Sequence, residues 1–279
     1  MSSTRNPRVF GVKMRMHGLP RPVLEGVKQA IDRLLGFERF NTFYRDLPAC
    51  EPLDFSRTFL EGMNVRLEHA GLPVETIPAS GPLLVVANHA FGVFDGFLLD
   101  ALLLSRRPDV RLMAIYRLAA IPEWRDRFIW VDQQDGRRRR ELNAQSWRTC
   151  YRWLSQGGAL AIFPAGRVAR FELRRLSVAE RPWSSHIGAM ARRANVPVLP
   201  IFFEGHNAWP YQLAGFVCPP LQDLLLVNEA ANKHDWRLRV SIGPLIEPAE
   251  LSTLATDEAA TQFMRQRVAM LAPPNSNWT

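Results

Sequence analysis

Apolar and polar positions along the 279-residue chain fall into short runs that alternate between two periods. Leu83 to Ala87 is an unbroken apolar run, the signature of a short buried strand. It ends at Asn88-His89, and a Gly-bearing bend then leads to Asp95 and the apolar helix-like run Phe97 to Leu104. Further strands are predicted over Val110–Tyr116, Phe128–Val131, Ala159–Phe163, Val196–Phe203 and Trp236–Ile242. Helices are predicted between them: a short one over Ile121–Arg127, a long one over Asp135–Ser155 closed by Gly157-Gly158, then Pro182–Ala194, Leu221–Ala231 and Pro248–Leu271. Strands that alternate with helices imply an α/β fold, a largely parallel central sheet with helices on both faces.

The first part of the chain has the other period. Val27, Ile31, Leu34, Leu35, Phe40, Phe43, Tyr44 and Leu47 recur mostly in steps of three and four, which reads as an amphipathic helix broken at Gly36. A second helix is expected over Asp54–His69, with Phe55, Phe59, Leu60, Met63 and Leu67 on one side. The organisation expected is a basic arm and helical appendage over 1–74, a main domain over 75–272 and a polar tail over 273–279. Both helical faces either pack on the main domain or meet a membrane surface.

Composition narrows the partners. Thirty-five Lys and Arg against 27 Asp and Glu give a net charge of +8, which favours anionic partners: a membrane, a nucleic acid or a phosphorylated substrate. Cys50, Cys150 and Cys218 have no metal-ligand spacing and suit a reducing compartment. Residues 1–20 lack the apolar core of a secretory leader, and no stretch reaches the roughly 20 apolar residues of a spanning helix. The expected location is cytoplasmic, peripheral on the inner face of the cytoplasmic membrane.

Several chemistries lack their motifs. There is no Gly-x-Ser-x-Gly elbow, no Gly-x4-Gly-Lys-Ser/Thr phosphate loop, no Gly-x-Gly-x-x-Gly after the first strand and no His-x3-His pair. The arginine run Arg137 to Arg140 has no interleaved aromatics, so nucleic acid is not an expected partner. His89 and Asp95 remain as candidate chemistry. Near neutral pH an imidazole takes a proton, and a carboxylate on its other nitrogen sets the tautomer. Six residues do not return to one face of a helix, so the pair forms only if Gly92 bends the chain. A turn and a helix cap built from Asn88 and Asp95 would explain the same residues without catalysis.

Three more strand ends carry unusual residues, and a parallel sheet gathers them on the edge that holds Asn88-His89. They are Phe128-Ile129-Trp130-Val131-Asp132-Gln133, Phe163-Pro164-Ala165-Gly166-Arg167 with Arg170, and Val196-Pro197-Val198-Leu199-Pro200-Ile201-Phe202-Phe203-Glu204-Gly205-His206-Asn207. This ordered set resembles the glycerolipid (lysophospholipid) acyltransferase superfamily, whose blocks run Asn-His-x4-Asp, Phe-Ile-Asp/Arg-Arg, Phe-Pro-Glu-Gly-Thr-Arg and Val-Pro-Val-x-Pro. It is more similar to a bacterial hemolysin-like, ornithine-lipid acyltransferase-like subgroup. Residues 88–96, Phe163-Pro164-Ala165-Gly166, Arg181-Pro182-Trp183 and Pro200 to Asn207 follow that subgroup's motifs.

The resemblance implies an O-acyltransferase of membrane lipid synthesis or remodelling, acting on an acyl thioester (acyl-CoA or acyl carrier protein) and a lyso-lipid, with neither cofactor nor metal. It implies His89 as general base oriented by Asp95. Substrate would be bound by Asn88, Gly92, Gly96, Gln133, Phe163, Pro164, Gly166, Arg167, Arg170 and Pro200, with oxyanion donors from backbone N–H groups near Gly92 and Gly166. A catalytically degenerate lipid-binding protein of the same fold is the alternative. Departures are informative. The His-to-Asp gap has five intervening residues, Ala90 replaces the subgroup's Pro, Gln133 replaces the superfamily's Arg, Ala165 its Glu and Arg167 its Thr. In the resembling superfamily that Arg and Glu are linked to holding a phosphate-bearing acceptor, so the resemblance does not extend to a glycerol-3-phosphate or lysophosphatidate acceptor.

Overall fold

The computed structural model describes residues 9–11, 21–132, 137–217 and 219–274. Two helices, α1 (Arg21–Leu34) and α2 (Phe37–Asp46), meet at Gly36, where the sequence places a break. After α3 (Phe55–Gly62) come β1 (Arg66–Gly71), β2 (Leu83–Ala87), α4 (Val93–Leu104), β3 (Arg111–Ile115) and β4 (Phe128–Val131). Next are α5 (Arg137–Ser155), β5 (Ala159–Ile162), the hairpin β6 (Arg170–Glu172) and β7 (Ser177–Ala179), α6 (His186–Ala194) and β8 (Val198–Phe203). The chain ends with α7 (Trp209–Val217), α8 (Pro219–Ala231), β9 (Arg237–Ile242), α9 (Pro248–Ser252) and α10 (Asp257–Ala269).

Seven strands form one sheet in the order β1-β9-β8-β2-β5-β3-β4. Every neighbouring pair is parallel except β8 with β9, so β9 and β1 run against the other five. Strand β2 lies between β8 and β5, buried on both faces. Its alternation sorts the two core layers. Leu83, Val85 and Ala87 face α2, α3, α4 and α8, where Phe40, Phe55, Phe59, Phe97 and Trp124 pack. Leu84 and Val86 face α5, α6 and α10. Continuous apolar runs are what such two-sided burial demands.

Several elements differ from the sequence reading. The helix expected over 54–69 stops at Gly62; Asn64 takes a left-handed φ of 50°, and the chain enters the sheet as β1, where Arg66 N–H donates to the Trp236 carbonyl. Leu67 continued the three- and four-residue spacing by coincidence, since its neighbours are set by parallel pairing with β9, a contact 171 residues away. The segment 1–74 therefore supplies an edge strand and, through Phe40, Tyr44, Phe55 and Phe59, part of the main core. The expected helix 121–127 is replaced by 3₁₀ turns at Tyr116–Ala120 and Pro122–Trp124. The helix expected from Pro182 begins only at His186, and the one expected over 248–271 is two helices, with Thr256 Oγ1 capping α10. Neither the β6–β7 hairpin nor α7 was foreseen.

Candidate active site

The site is built where β2 gives way to α4. Asn88 lies at the end of β2 with its amide buried: Oδ1 accepts from Phe203 N–H at 2.7 Å and Nδ2 donates to the Phe203 carbonyl at 2.9 Å. The side chain thus extends the ladder to β8 by one rung. His89 is held by its backbone, its N–H donating to Glu180 Oε1 (2.8 Å) and its carbonyl accepting from Ala169 N–H (2.8 Å). The chain then bends. Gly92 takes φ 83° and ψ −122°, a region that a Cβ disfavours, and a Cβ there would also come within 2.6 Å of Leu226 Cδ2.

The bend brings the pair together. His89 Nδ1 lies 2.7 Å from Asp95 Oδ2, which also accepts the N–H groups of Phe91 (2.8 Å) and Gly92 (2.9 Å). Asp95 is fully buried in the first turn of α4, and its Oδ1 is buried without a hydrogen-bond partner. Three donors converging on one oxygen hold the carboxylate where the imidazole meets it. A carboxylate accepts, so Nδ1 carries the proton and Nε2 presents its lone pair, the form a general base requires. The Phe163 ring stacks on the imidazole at 4.6 Å and 16° and fixes its plane.

Phe163 opens the second wall. Gly166 N–H bonds back to the Phe163 carbonyl at 3.0 Å, closing a turn with Pro164 at its second position. From that turn the chain passes Arg167, bonds His89 through Ala169, and enters the hairpin at Arg170. Arg181 follows the hairpin. Its guanidinium is held below the ordinary arginine range by burial first and then by the charges of Arg170 and Arg167, with Asp223 and Glu172 offsetting in part. Its Nε is buried without a hydrogen-bond partner. Three arginines therefore share one region beside His89, an arrangement suited to an anion.

Two residues absent from the sequence-based site belong to it. Arg181 stands in the Arg-Pro-Trp segment, which was the signal available. Glu180, just before it, links His89 N–H to Trp183 Nε1–H (2.6 Å). Burial pushes the Glu180 carboxyl up to about 7, against the two donated hydrogen bonds and the charges of His89 and Arg265.

Other candidates fall elsewhere. Gly96 lies against Trp124, where an added Cβ would sit 3.4 Å from the indole. Pro200 is buried inside β8, its carbonyl accepting from Gly243 N–H. Asn88 is spent on Phe203. All three make framework contacts here. Gln133 lies outside the described residues. The oxyanion donors expected near Gly92 and Gly166 are engaged already, Gly92 N–H by Asp95 and Gly166 N–H by Phe163. Behind the bend, Lys233 is buried, donates to Asn207 Oδ1 (2.9 Å) and the Glu229 carbonyl (3.2 Å), and faces the rings of Trp236 (4.7 Å) and Phe91 (5.1 Å). Asn207 thus anchors the wall behind Phe91. Among the described residues no group of three or more His, Cys, Asp or Glu is placed to hold a metal ion.

Residues 73–204, which hold the histidine, the aspartate and all three arginines, match the family model "Acyltransferase". That match spans 132 of the 279 residues. Among solved structures it is similar to the 1-acyl-sn-glycerophosphate (LPA) acyltransferase PlsC from Thermotoga maritima, with a TM-score of 0.51 and 15% identity over 88% of this chain and 86% of that one. At that identity the likeness is one of fold. No curated protein matches the chain in sequence.

Proposed function

We propose that this protein is an acyltransferase that moves a fatty acyl chain from an acyl thioester, acyl-CoA or acyl carrier protein, to the hydroxyl of a lyso-lipid, with His89 as general base. The observation that carries the reading is the 2.7 Å His89 Nδ1–Asp95 Oδ2 contact at a strand end inside the segment that matches the acyltransferase model. Nε2 takes the acceptor's hydroxyl proton as that oxygen attacks the thioester carbonyl. The tetrahedral oxyanion forms beside the first turn of α4, where the helix dipole is positive. As it collapses, the carbon–sulfur bond breaks and the departing thiolate takes the proton from the imidazolium. Asp95 keeps the ring oriented and stabilises its charged form. Arg167, Arg170 and Arg181 hold an anionic group of acceptor or donor.

The acceptor we favour is a lyso-lipid other than lysophosphatidate, such as a lyso-ornithine-type aminolipid or a lysophospholipid with a larger headgroup. Gln133 and Ala165 supply neither the cation nor the carboxylate that the resembling families place there. The reaction is expected at the inner face of the cytoplasmic membrane; no helix among the described residues is long and apolar enough to cross a bilayer. The test incubates purified protein with labelled acyl-CoA, or acyl carrier protein, and equal amounts of lysophosphatidate and other lyso-lipids, read by mass spectrometry. Label in a lyso-lipid other than lysophosphatidate is the expected result. Preferential acylation of lysophosphatidate overturns the acceptor assignment, and no transfer to any lipid overturns the enzyme reading.

A further inference from the structure

Exposed apolar side chains scattered singly are ordinary, but here several share one surface beside the site. In α7, Trp209, Leu213 and Phe216 recur at helical spacing and are 54%, 59% and 51% exposed, while Tyr211 and Gln212 face inward. At the tip of the β6–β7 hairpin, Leu173 and Leu176 are 68% and 73% exposed, and Leu176 holds a left-handed φ of 49°. The two elements form one surface. The Phe171 ring lies 5.4 Å from Trp209 and 5.9 Å from Phe216, and Phe171 N–H donates to Gln212 Oε1 at 2.9 Å.

Charge decides what fits this surface. Arg167, Arg174 and Arg175 are exposed around the apolar residues and Arg170 and Arg181 are half-buried beside them. The carboxylates alongside are Glu172, 3.6 Å from Arg175, and Asp223. Arginine beside exposed leucine and aromatic side chains matches a bilayer boundary with anionic headgroups. An acidic carrier protein would meet the arginines but leave five large apolar side chains unexplained.

We propose that the hairpin tip and the exposed face of α7 dock on an anionic bilayer surface, with Leu173, Leu176, Trp209, Leu213 and Phe216 entering the headgroup boundary. This deepens the lipid-acceptor reading. Ala169, next to the start of the hairpin, binds the His89 carbonyl, so docking here brings the imidazole to the membrane and lets a lyso-lipid headgroup reach Arg170 and Arg181.

Vesicle flotation tests it without using turnover. Wild type is expected to float with phosphatidylcholine vesicles containing phosphatidylglycerol, and to float poorly with pure phosphatidylcholine or in about 0.5 M NaCl. The pairs Leu173→Ser/Leu176→Ser and Leu213→Ser/Phe216→Ser, checked as folded by circular dichroism, should each weaken flotation about tenfold. A Val27→Ser/Leu34→Ser control on α1 should leave it within about twofold. Wild-type flotation by the hairpin and α7 pairs, loss confined to the α1 pair, or indifference to lipid charge overturns the proposal. So does impaired binding to acyl carrier protein with flotation intact. A protein that floats as expected but transfers no acyl group would instead remove the proposed function and leave the docking surface standing.

Discussion

Helix α4 carries two fully buried aspartates five residues apart, and they are used in opposite ways. Asp95, in the first turn, receives an imidazole and two backbone N–H groups on one oxygen. Asp100, in the middle, is gripped by Arg127 through both oxygens (Nη2–Oδ1 2.6 Å, Nη1–Oδ2 3.0 Å) and by the Ser56 hydroxyl, which in turn accepts from Trp124 Nε1–H. Burial raises the Asp100 carboxyl, and Arg127 opposes that. One carboxylate holds an imidazole at the site's edge, which in the proposed function is the general base. The other closes a buried ion pair that ties α4 to α3 and to the residues before β4. A buried charge is functional or structural according to whether its partner can change protonation.

Four substitutions press on that comparison. The largest effect is expected from His89→Ala, which should lower acyl transfer by about 10²–10⁴ with the fold retained, since loss of a general base removes that much. Near-wild-type turnover of the folded variant, measured with labelled acyl-CoA, would break the comparison at its root. Arg127→Leu should leave Asp100 buried and unpaired and lower unfolding free energy by about 3–5 kcal/mol in urea titrations. Turnover per folded molecule should stay within about threefold, because Arg127 does not touch the His89 pair. A large loss of turnover with stability unchanged would exchange the roles given to the two aspartates.

Asp95→Asn should lower turnover on the order of 10², with a smaller change in KM, because an amide no longer stabilises the imidazolium. Steady-state kinetics on the folded variant decide it, and a change confined to KM would make Asp95 a binding group instead. The smallest effect concerns Glu180. Its carboxyl is raised in the folded protein to about 7 from 4.5, so the folded state prefers the neutral form. Its contribution to stability is complete below about pH 4.5 and is lost as pH rises through about 7, by an amount on the order of 3 kcal/mol at most. Urea unfolding of wild type and Glu180→Gln across pH 4.5–8 should show that slope in the wild type and its loss in the variant. Equal slopes would remove Glu180 from the account.

Legibility followed the range of each interaction. Strand β2, the bend at Gly92 and the order of the motifs could all be read along the chain, since an apolar run and a glycine act on their immediate neighbours. The His89–Asp95 contact was also readable, conditionally, because six residues with one bend leave few ways to close. Positions with a bare side chain and no local partner were harder. Asn88, Gly96 and Pro200 stand in the motifs, yet the structure spends them on Phe203, Trp124 and the interior of β8.

The sequence by itself determined that this is an α/β chain with a buried central strand, a polar tip and a helix start able to hold a histidine against a carboxylate. Periodicity, glycine and motif order are local properties, and folding does not alter them. Only the tertiary structure decided which partners those residues met. Residues 66–71 became a strand because β9, far along the chain, supplies their hydrogen bonds. Glu180 entered the site because the hairpin returns it to His89, 91 residues away. Arg181 joined Arg167 and Arg170 by the same return. The Gly92 and Gly166 N–H groups found acceptors of their own in Asp95 and the Phe163 carbonyl. A buried donor takes whatever acceptor the packed chain brings to it, and that choice is made only when the layers close.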